Sequence, residues 1–252
     1  KFKEAIKSHQ EKDLKKSEEL LTDILKTEPD HLNTNFFLGS ILLQKKDFDR
    51  ARELFLKVIS LHPNNPDSYN NLGIAMKELG QKIKAVTCFK KAIELKPDHG
   101  MAHNNLGIVF KELGKYKDAM NSYKKAIEID PSNADAHNNL GVLFTEYGDH
   151  EKSKKSLQEA IKIQPKFLKA YSNLLFSLCW LENSNNYLNF AKDYYKVIPE
   201  YNINFKTKKI KENKKILKIG FVSGDFKNHP VAYFFLDTLK NLSNKNLKIF
   251  AY

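Results

Sequence analysis

The chain has 252 residues, of which 41% are hydrophobic and 29% are charged, with 10 Gly and 8 Pro. This composition is typical of a folded protein and excludes collagen-like and low-complexity sequences, while the length is sufficient for one or two domains. The formal net charge is +12, but Arg50 and Arg52 are the only arginines. Arginine is the side chain best suited to phosphate and base contacts, so the lysines indicate a solvated surface, and neither nucleic acid nor a membrane is expected as a partner.

No stretch of the given sequence is long and apolar enough to span a membrane. The densest apolar run, Leu174–Leu181, is far shorter than the roughly 20 residues that a transmembrane helix needs. The two cysteines, Cys88 and Cys179, have no metal-site spacing and favour a reducing, cytoplasmic location. Because the chain begins with Lys1 and lacks a signal-peptide apolar region, we interpret it as a truncated piece of a longer protein.

Proline and glycine recur at a fixed period of 34 residues. The prolines of this series are Pro29, Pro63, Pro97, Pro131, Pro165 and Pro199, and the glycines form two series, Gly39, Gly73, Gly107 and Gly141, and Gly80, Gly114 and Gly148. A 34-residue period with a Leu-Gly…Ala…Phe…Pro pattern resembles the tetratricopeptide signature, in which each repeat is a pair of helices.

One unit, 100–133, shows how each signature residue should act. Gly107 should let the second helix approach the first closely, and Gly114 should end the first helix in a conformation with positive φ. Three- and four-residue spacing predicts an inner stripe on the second helix, formed by Ala119, Tyr123 and Ala126.

The pattern predicts a mainly α fold, a tetratricopeptide α-solenoid wound as a right-handed superhelix over residues 1–201. In the second unit Lys46 stands where later repeats have glycine, and the last unit lacks the glycine pair, as a closing repeat would. The predicted units are 1–31 (partial), 32–65, 66–99, 100–133, 134–167 and 168–201 (atypical).

Function is expected on the concave face, which the first helices of such a solenoid form. One asparagine recurs there just before the signature leucine, and we call this series the asparagine ladder: Asn71, Asn105, Asn139 and Asn173. Neighbouring rungs should lie roughly 10 Å apart, so an extended peptide would meet one at about every third residue. An amide both donates and accepts hydrogen bonds, which suits it to a peptide backbone of any sequence. The alternative is that these asparagines bond within the repeats or are only solvated.

Two further sets of residues repeat without a clear role. The inner asparagines, Asn70, Asn104 and Asn138, precede the ladder and have no separate function that the sequence shows. His103 and His137 share one repeat position, with His99 four residues before His103, which raises the question of a metal site. No acidic or cysteine ligand accompanies them, so packing is the favoured interpretation and no metal is expected.

After a basic linker at 202–215 the pattern changes to short β-branched runs. Residues 217–222 and 247–252 are typical of buried strands, and 231–242 is typical of an amphipathic helix between them. The segment 216–252 therefore predicts one βαβ unit, the start of a Rossmann-like domain that the chain leaves incomplete.

The motifs Val222-Ser223-Gly224-Asp225-Phe226 and Asn228-His229-Pro230-Val231 resemble the start of the catalytic region in O-linked N-acetylglucosamine transferases, above all the bacterial type. These enzymes join a tetratricopeptide superhelix to two Rossmann-like halves. The resemblance implies that the asparagine ladder holds the substrate polypeptide, and that His229 lies at the sugar site, where it is proposed to act as a catalytic base.

The resemblance also implies a donor, UDP-GlcNAc, and a metal-independent transfer of N-acetylglucosamine to Ser or Thr, although related enzymes use GDP-fucose. The chain contains no cofactor site of its own, since the half that holds the nucleotide would follow Tyr252, and by itself it is expected to transfer no sugar. Helix capping or loop bracing is the alternative role of His229. A non-catalytic scaffold for protein–protein interaction is the alternative function, and a homodimer formed through the repeats is a further expectation.

Overall fold

The computed structural model describes residues 1–181, the single residues Phe190, Asp193 and Val197, and the backbone of two strands at 217–221 and 247–251. Contacts divide the chain into two compact units, Lys1–Leu143 and Phe144–Tyr252.

Helices fill the range 1–181, and they follow one another in the order that the repeat pattern predicts. They are α1 (Phe2–Gln10), α2 (Leu14–Thr27), α3 (Leu32–Gln44), α4 (Phe48–Leu61), α5 (Pro66–Glu78), α6 (Lys82–Leu95), α7 (Gly100–Glu112), α8 (Tyr116–Ile129), α9 (Ala134–Glu146), α10 (His150–Ile163) and α11 (Leu168–Leu178). In the first unit they pack as consecutive pairs, α1 with α2, α3 with α4, α5 with α6 and α7 with α8, and successive pairs also contact each other.

A glycine–aromatic contact joins the two helices of each pair from α3 to α8. A Cβ atom built on Gly107 would lie 2.6 Å from Cε1 of the buried Tyr123 ring, which is closer than carbon atoms can approach. Gly73 faces Phe89 and Gly39 faces Phe55 in the same way. The predicted close approach at Gly107 is therefore confirmed, as is the buried stripe that contains Tyr123.

Each turn between the two helices of a pair contains one residue in the left-handed backbone conformation. Gly114 has a φ of +72°, as predicted, and Gly80 and Gly148 have φ values of +74° and +76°. In the first two repeats the same position is occupied by Lys12 and Lys46, with φ values of 64° and 62°. The turn geometry is thus kept even where a lysine replaces the glycine that favours it.

In the second unit, α10 and α11 enclose a small apolar core. Leu157, Leu174 and Leu178 are buried in it, and Ile161, Leu181 and Phe190 pack around them. No helix in the described part of the chain is long and apolar enough to span a bilayer.

Two strands, β1 (Leu217–Phe221) and β2 (Leu247–Ala251), pair in parallel, with Leu217 opposite Leu247. Parallel pairing requires a crossover connection between the strands. The predicted helix at 231–242 and the predicted linker at 202–215 lie outside the described residues, so the βαβ unit as a whole stays a prediction.

Candidate functional site

The described members of the asparagine ladder occupy one position on successive first helices: Asn71 in α5, Asn105 in α7 and Asn139 in α9. All three side chains are partly exposed. Asn173, on α11 in the second unit, is partly exposed as well. By contrast, the inner asparagines Asn70, Asn104 and Asn138 are 3%, 8% and 1% exposed. The doubled asparagine therefore presents one amide outward and buries the other.

The inner asparagines join neighbouring repeats. Asn105 Nδ2 donates to Asn70 Oδ1 at 2.9 Å, and Asn139 Nδ2 donates to Asn104 Oδ1 at 3.0 Å. In each case a ladder residue bonds to the inner asparagine 35 positions earlier. These bonds run between repeats, and they occupy one N–H group of each donor. An amide has a second N–H and two acceptor sites, so both residues keep capacity for a ligand.

This role of the inner asparagines was not predicted from the sequence. The signal was present, because an Asn-Asn pair that recurs every 34 residues places second and first members 35 residues apart. Only the stacking of the helices shows that these two members meet.

The amide series ends at the repeat 32–65, where Phe36 and Phe37 take the place of the asparagine pair. The Phe37 ring lies 6.2 Å from that of Phe2 and 5.3 Å from that of His9, centroid to centroid. Asn71 consequently has no asparagine 35 positions earlier, since residue 36 is a phenylalanine. Its Nδ2 makes no hydrogen bond to any described residue, while its Oδ1 accepts from Asn70 at 3.2 Å.

Next to the ladder lies a second series, three residues further along each helix. It consists of Ile74, Ile108 and Val142, which we call the apolar row, and all three side chains are partly exposed. Residues three apart on a helix are neighbours on its surface, so each ladder amide has an apolar side chain beside it.

Two ion pairs lie near the ends of α5 and α7. Lys77 Nζ lies 2.6 Å from a Glu78 carboxylate oxygen, and Glu112 lies 3.1 Å from Lys82 Nζ. The charges of Lys77 and Glu112 are therefore neutralised by protein groups, and neither requires an opposite charge on a ligand.

The two equivalent histidines fix the starts of their helices. His103 Nε2 lies 3.1 Å from the carbonyl oxygen of Pro97, and His137 Nε2 lies 3.1 Å from that of Pro131. At the equivalent position of the repeat 32–65, Asn35 Nδ2 donates to the carbonyl of Pro29 at 2.9 Å. Each side chain thus binds the proline that closes the previous repeat. Within the described residues, no group of three His, Cys, Asp or Glu side chains could hold a metal ion.

From α3 to α9, the N-caps of the first helices alternate between histidine and asparagine. His31 and His99 cap α3 and α7 through Nδ1, while Asn65 caps α5 and Asn133 bonds to the Ala136 N–H of α9. His99 is buried, and its Nε2 lies 3.1 Å from Asp67 Oδ1. Burial lowers the pKa of His99, although the Asp67 carboxylate acts in the opposite direction.

Cys88 is an inert side chain of α6. It is partly buried, and burial raises its thiol pKa to about 11, so the reactive thiolate is disfavoured. His229 and the two motifs around it lie outside the described residues, and their predicted roles stay predictions.

Models of the tetratricopeptide repeat match the sequence over 12–66, 54–87, 88–121, 108–147 and 134–167. No curated protein matches the chain. Its fold is similar to that of PilW, a type IV pilus biogenesis factor, with a TM-score of 0.71 and 18% identity over 80% of this chain and 93% of that one.

Two further solved structures share the fold. PilF of Pseudomonas aeruginosa has a TM-score of 0.67 and 13% identity, covering 79% of this chain and 91% of its own. YrrB, described as a TPR protein with an unusual peptide-binding site, has a TM-score of 0.53 and 17% identity over 72% of this chain and 93% of that one. At these identities the likeness concerns the fold. Through residues 12–167, the chain belongs to the tetratricopeptide repeat family.

Proposed function

We propose that this chain is a protein-interaction scaffold that holds extended polypeptide segments of its partners against the asparagine ladder. The observation that carries this proposal is the regular series of partly exposed amides on α5, α7 and α9, each with hydrogen-bonding groups left after the bonds between repeats are made. A polypeptide backbone offers alternating donors and acceptors, which is the chemistry that such amides complement.

The surroundings of the ladder favour an uncharged polypeptide segment over a strongly charged ligand. Lys77 of α5 and Glu112 of α7 are paired with Glu78 and Lys82, and the apolar row adds surface that a peptide side chain can cover. YrrB, which has the same fold, is itself described as having a peptide-binding site. Neither nucleic acid nor a membrane belongs to this proposal, whereas a cytoplasmic location and self-association through the repeats do.

The test is a binding measurement on the 252-residue chain with three ladder residues, Asn71, Asn105 and Asn139, changed to Ala together. The probe is a fluorescent pool of random peptides of roughly ten residues, long enough to cross the three rungs at about 3.3 Å per residue. We expect the variant to lose binding by roughly tenfold or more, since each lost hydrogen bond contributes about 0.5–1.5 kcal/mol.

Asn121→Ala is the matched control, because Asn121 is an exposed asparagine of a second helix, α8. It should bind the pool as the unchanged chain does. Equal binding by the triple variant would contradict the proposal. Binding that collapses as salt is added would instead indicate attraction by the lysines.

A second candidate function is the substrate-binding arm of a protein O-glycosyltransferase. The observation that favours it is the parallel pairing of β1 with β2, which flank the segment containing His229 and its motifs. This proposal predicts that the longer protein transfers N-acetylglucosamine from UDP-GlcNAc to Ser or Thr, and that His229→Ala abolishes transfer while peptide binding by the repeats is kept. Absence of transfer from both UDP-GlcNAc and GDP-fucose by the longer protein would leave the scaffold function alone.

A further inference from the structure

The spacing of the ladder and the apolar row selects the conformation of the ligand. Neighbouring first helices lie side by side, because side chains as short as asparagine bridge α5 to α7 and α7 to α9 at 2.9 and 3.0 Å. Helices in such direct contact have axes about 8–10 Å apart. Equivalent positions on the ligand must therefore recur at this distance.

Two extended conformations advance by a suitable length over three residues. A β-strand covers about 10 Å and a polyproline II segment about 9 Å. They differ in the direction of their side chains. In a β-strand successive side chains alternate, so every third residue points the opposite way, whereas polyproline II has three residues per turn and presents every third residue on the same side.

The site itself repeats without alternation. Each rung has its apolar partner on the same side, three residues along the same helix: Asn71 with Ile74, Asn105 with Ile108, and Asn139 with Val142. A ligand that meets every rung in the same way must turn one side chain toward each member of the apolar row. A three-residue period meets this requirement and a two-residue period does not.

Polyproline II also suits the hydrogen-bonding side of the site. It has no internal hydrogen bonds, so its backbone groups are available to the ladder amides. Asn71, whose Nδ2 has no bond to any described residue, offers both N–H groups to a backbone carbonyl, and it is the first amide of the ladder.

We propose that the ladder and the apolar row together bind an uncharged segment in the polyproline II conformation, with an apolar side chain at every third residue. This inference rests on the proposed peptide-binding function and adds the class of ligand to it. The apolar row determines specificity through the periodic side chains, and the ladder provides affinity through the backbone.

The test compares two labelled peptides of the same composition and about nine residues, which is three turns of polyproline II. One repeats Val-Pro-Ser, so that valine occurs at every third position, and the other has the valines adjacent. Fluorescence anisotropy with the 252-residue chain should show roughly tenfold tighter binding of the periodic peptide, since burial of the extra apolar surface contributes about 1.4 kcal/mol.

Variants assign that preference to the apolar row. Ile108→Ser should reduce the preference for the periodic peptide roughly fivefold and leave the binding of the valine-clustered peptide nearly unchanged. The control is Ile83→Ser, at a 68%-exposed isoleucine of the second helix α6, and it should keep the full preference.

The outcomes separate this inference from the function on which it rests. Equal affinity for both peptides, lost on the triple ladder substitution, would overturn the polyproline II inference and keep the peptide-binding function. Binding of neither peptide, together with no binding of the random pool, would overturn both. If Ile108→Ser kept the full preference for the periodic peptide, the apolar row would not determine specificity.

Discussion

Two junctions in the first unit, where the first helices of neighbouring repeats meet, use equivalent repeat positions with opposite chemistry. Where α3 meets α1, Phe37 contacts Phe2, and where α7 meets α5, Asn105 bonds to Asn70. The residues of both pairs are 35 positions apart in the chain. Helix stacking therefore fixes which residues come into contact, and the residue types decide what that contact contributes. The aromatic junction buries apolar surface, whereas the amide junction is stabilised by hydrogen bonds and keeps polar groups for a ligand.

This difference indicates that the repeats at the N-terminal end and the later repeats contribute different properties to the array. The repeat 32–65 has no amide at the ladder position, and the later repeats have no aromatic residue there. We therefore expect the N-terminal junction to contribute mainly stability, and the later junctions to contribute less stability and the binding surface.

The largest effect on stability should come from the glycine–aromatic contact within a repeat. The effects at both junctions are expected to be smaller. In Gly107→Ala the added methyl would lie 2.6 Å from the Tyr123 ring, and that ring is buried and cannot move aside cheaply. We expect the free energy of unfolding to fall by about 1–3 kcal/mol, measured by urea denaturation.

Gly100→Ala is the control in the same helix, because there the added methyl would be 3.4 Å from Ile129 Cγ2, an ordinary contact. It should leave stability nearly unchanged. If both variants unfolded at the same urea concentration, the glycine–aromatic contact would not be what holds the helix pair together.

The next effect tests the aromatic junction. Phe37→Asn removes the ring that contacts Phe2 and His9 and places an amide opposite an aromatic residue. The free energy of unfolding should fall by about 1–2 kcal/mol, because a partly buried aromatic surface is lost.

The double variant Phe37→Asn with Phe2→Asn distinguishes geometry from chemistry. It recreates at this junction the pair found between Asn105 and Asn70, so its destabilisation should be smaller than the sum of the single changes. A double-mutant cycle measures that difference. Strict additivity would show that the two positions do not form an equivalent amide pair at the N-terminal junction.

The repeat period made most of the helical array predictable from sequence. The left-handed residue at Gly114 and the close approach at Gly107 follow from residue types that few other residues can replace. Lys46 shows the limit of this argument, because it adopts the same left-handed conformation with a φ of 62°. There the surrounding helices decide the backbone, and the local sequence alone would not.

The positions of the ladder residues on the first helices were predictable from the sequence, but their hydrogen bonds were not. The ladder residues lie in matching register on α5, α7 and α9, whereas the partner of each amide depends on how the repeats stack. His99 is a similar case. Its place before a helix could be read from the sequence, but its burial against Asp67 is a tertiary contact between repeats.

The smallest effect, and one confined to acidic pH, should come from the His99 cap. Its Nδ1 accepts a hydrogen bond from the Ala102 N–H at 3.4 Å, so the capping form is the neutral imidazole. Because burial lowers the pKa of His99 in the folded chain, the unfolded chain binds the proton more readily. The contribution of the cap is therefore complete above the unfolded pKa of 6.5 and decreases as the pH falls below it.

His99→Asn replaces this cap with the residue that serves at Asn65 and does not titrate. We expect the variant to differ little from the unchanged chain at pH 8 and to lose less stability between pH 7 and pH 5, as followed by thermal unfolding. His62→Asn, at an exposed histidine after α4, is the control and should keep the original pH dependence. A His99→Asn chain that weakens with acid as steeply as the parent would mean that other groups titrate, and that the repeat junction at Asp67 is indifferent to the charge on His99.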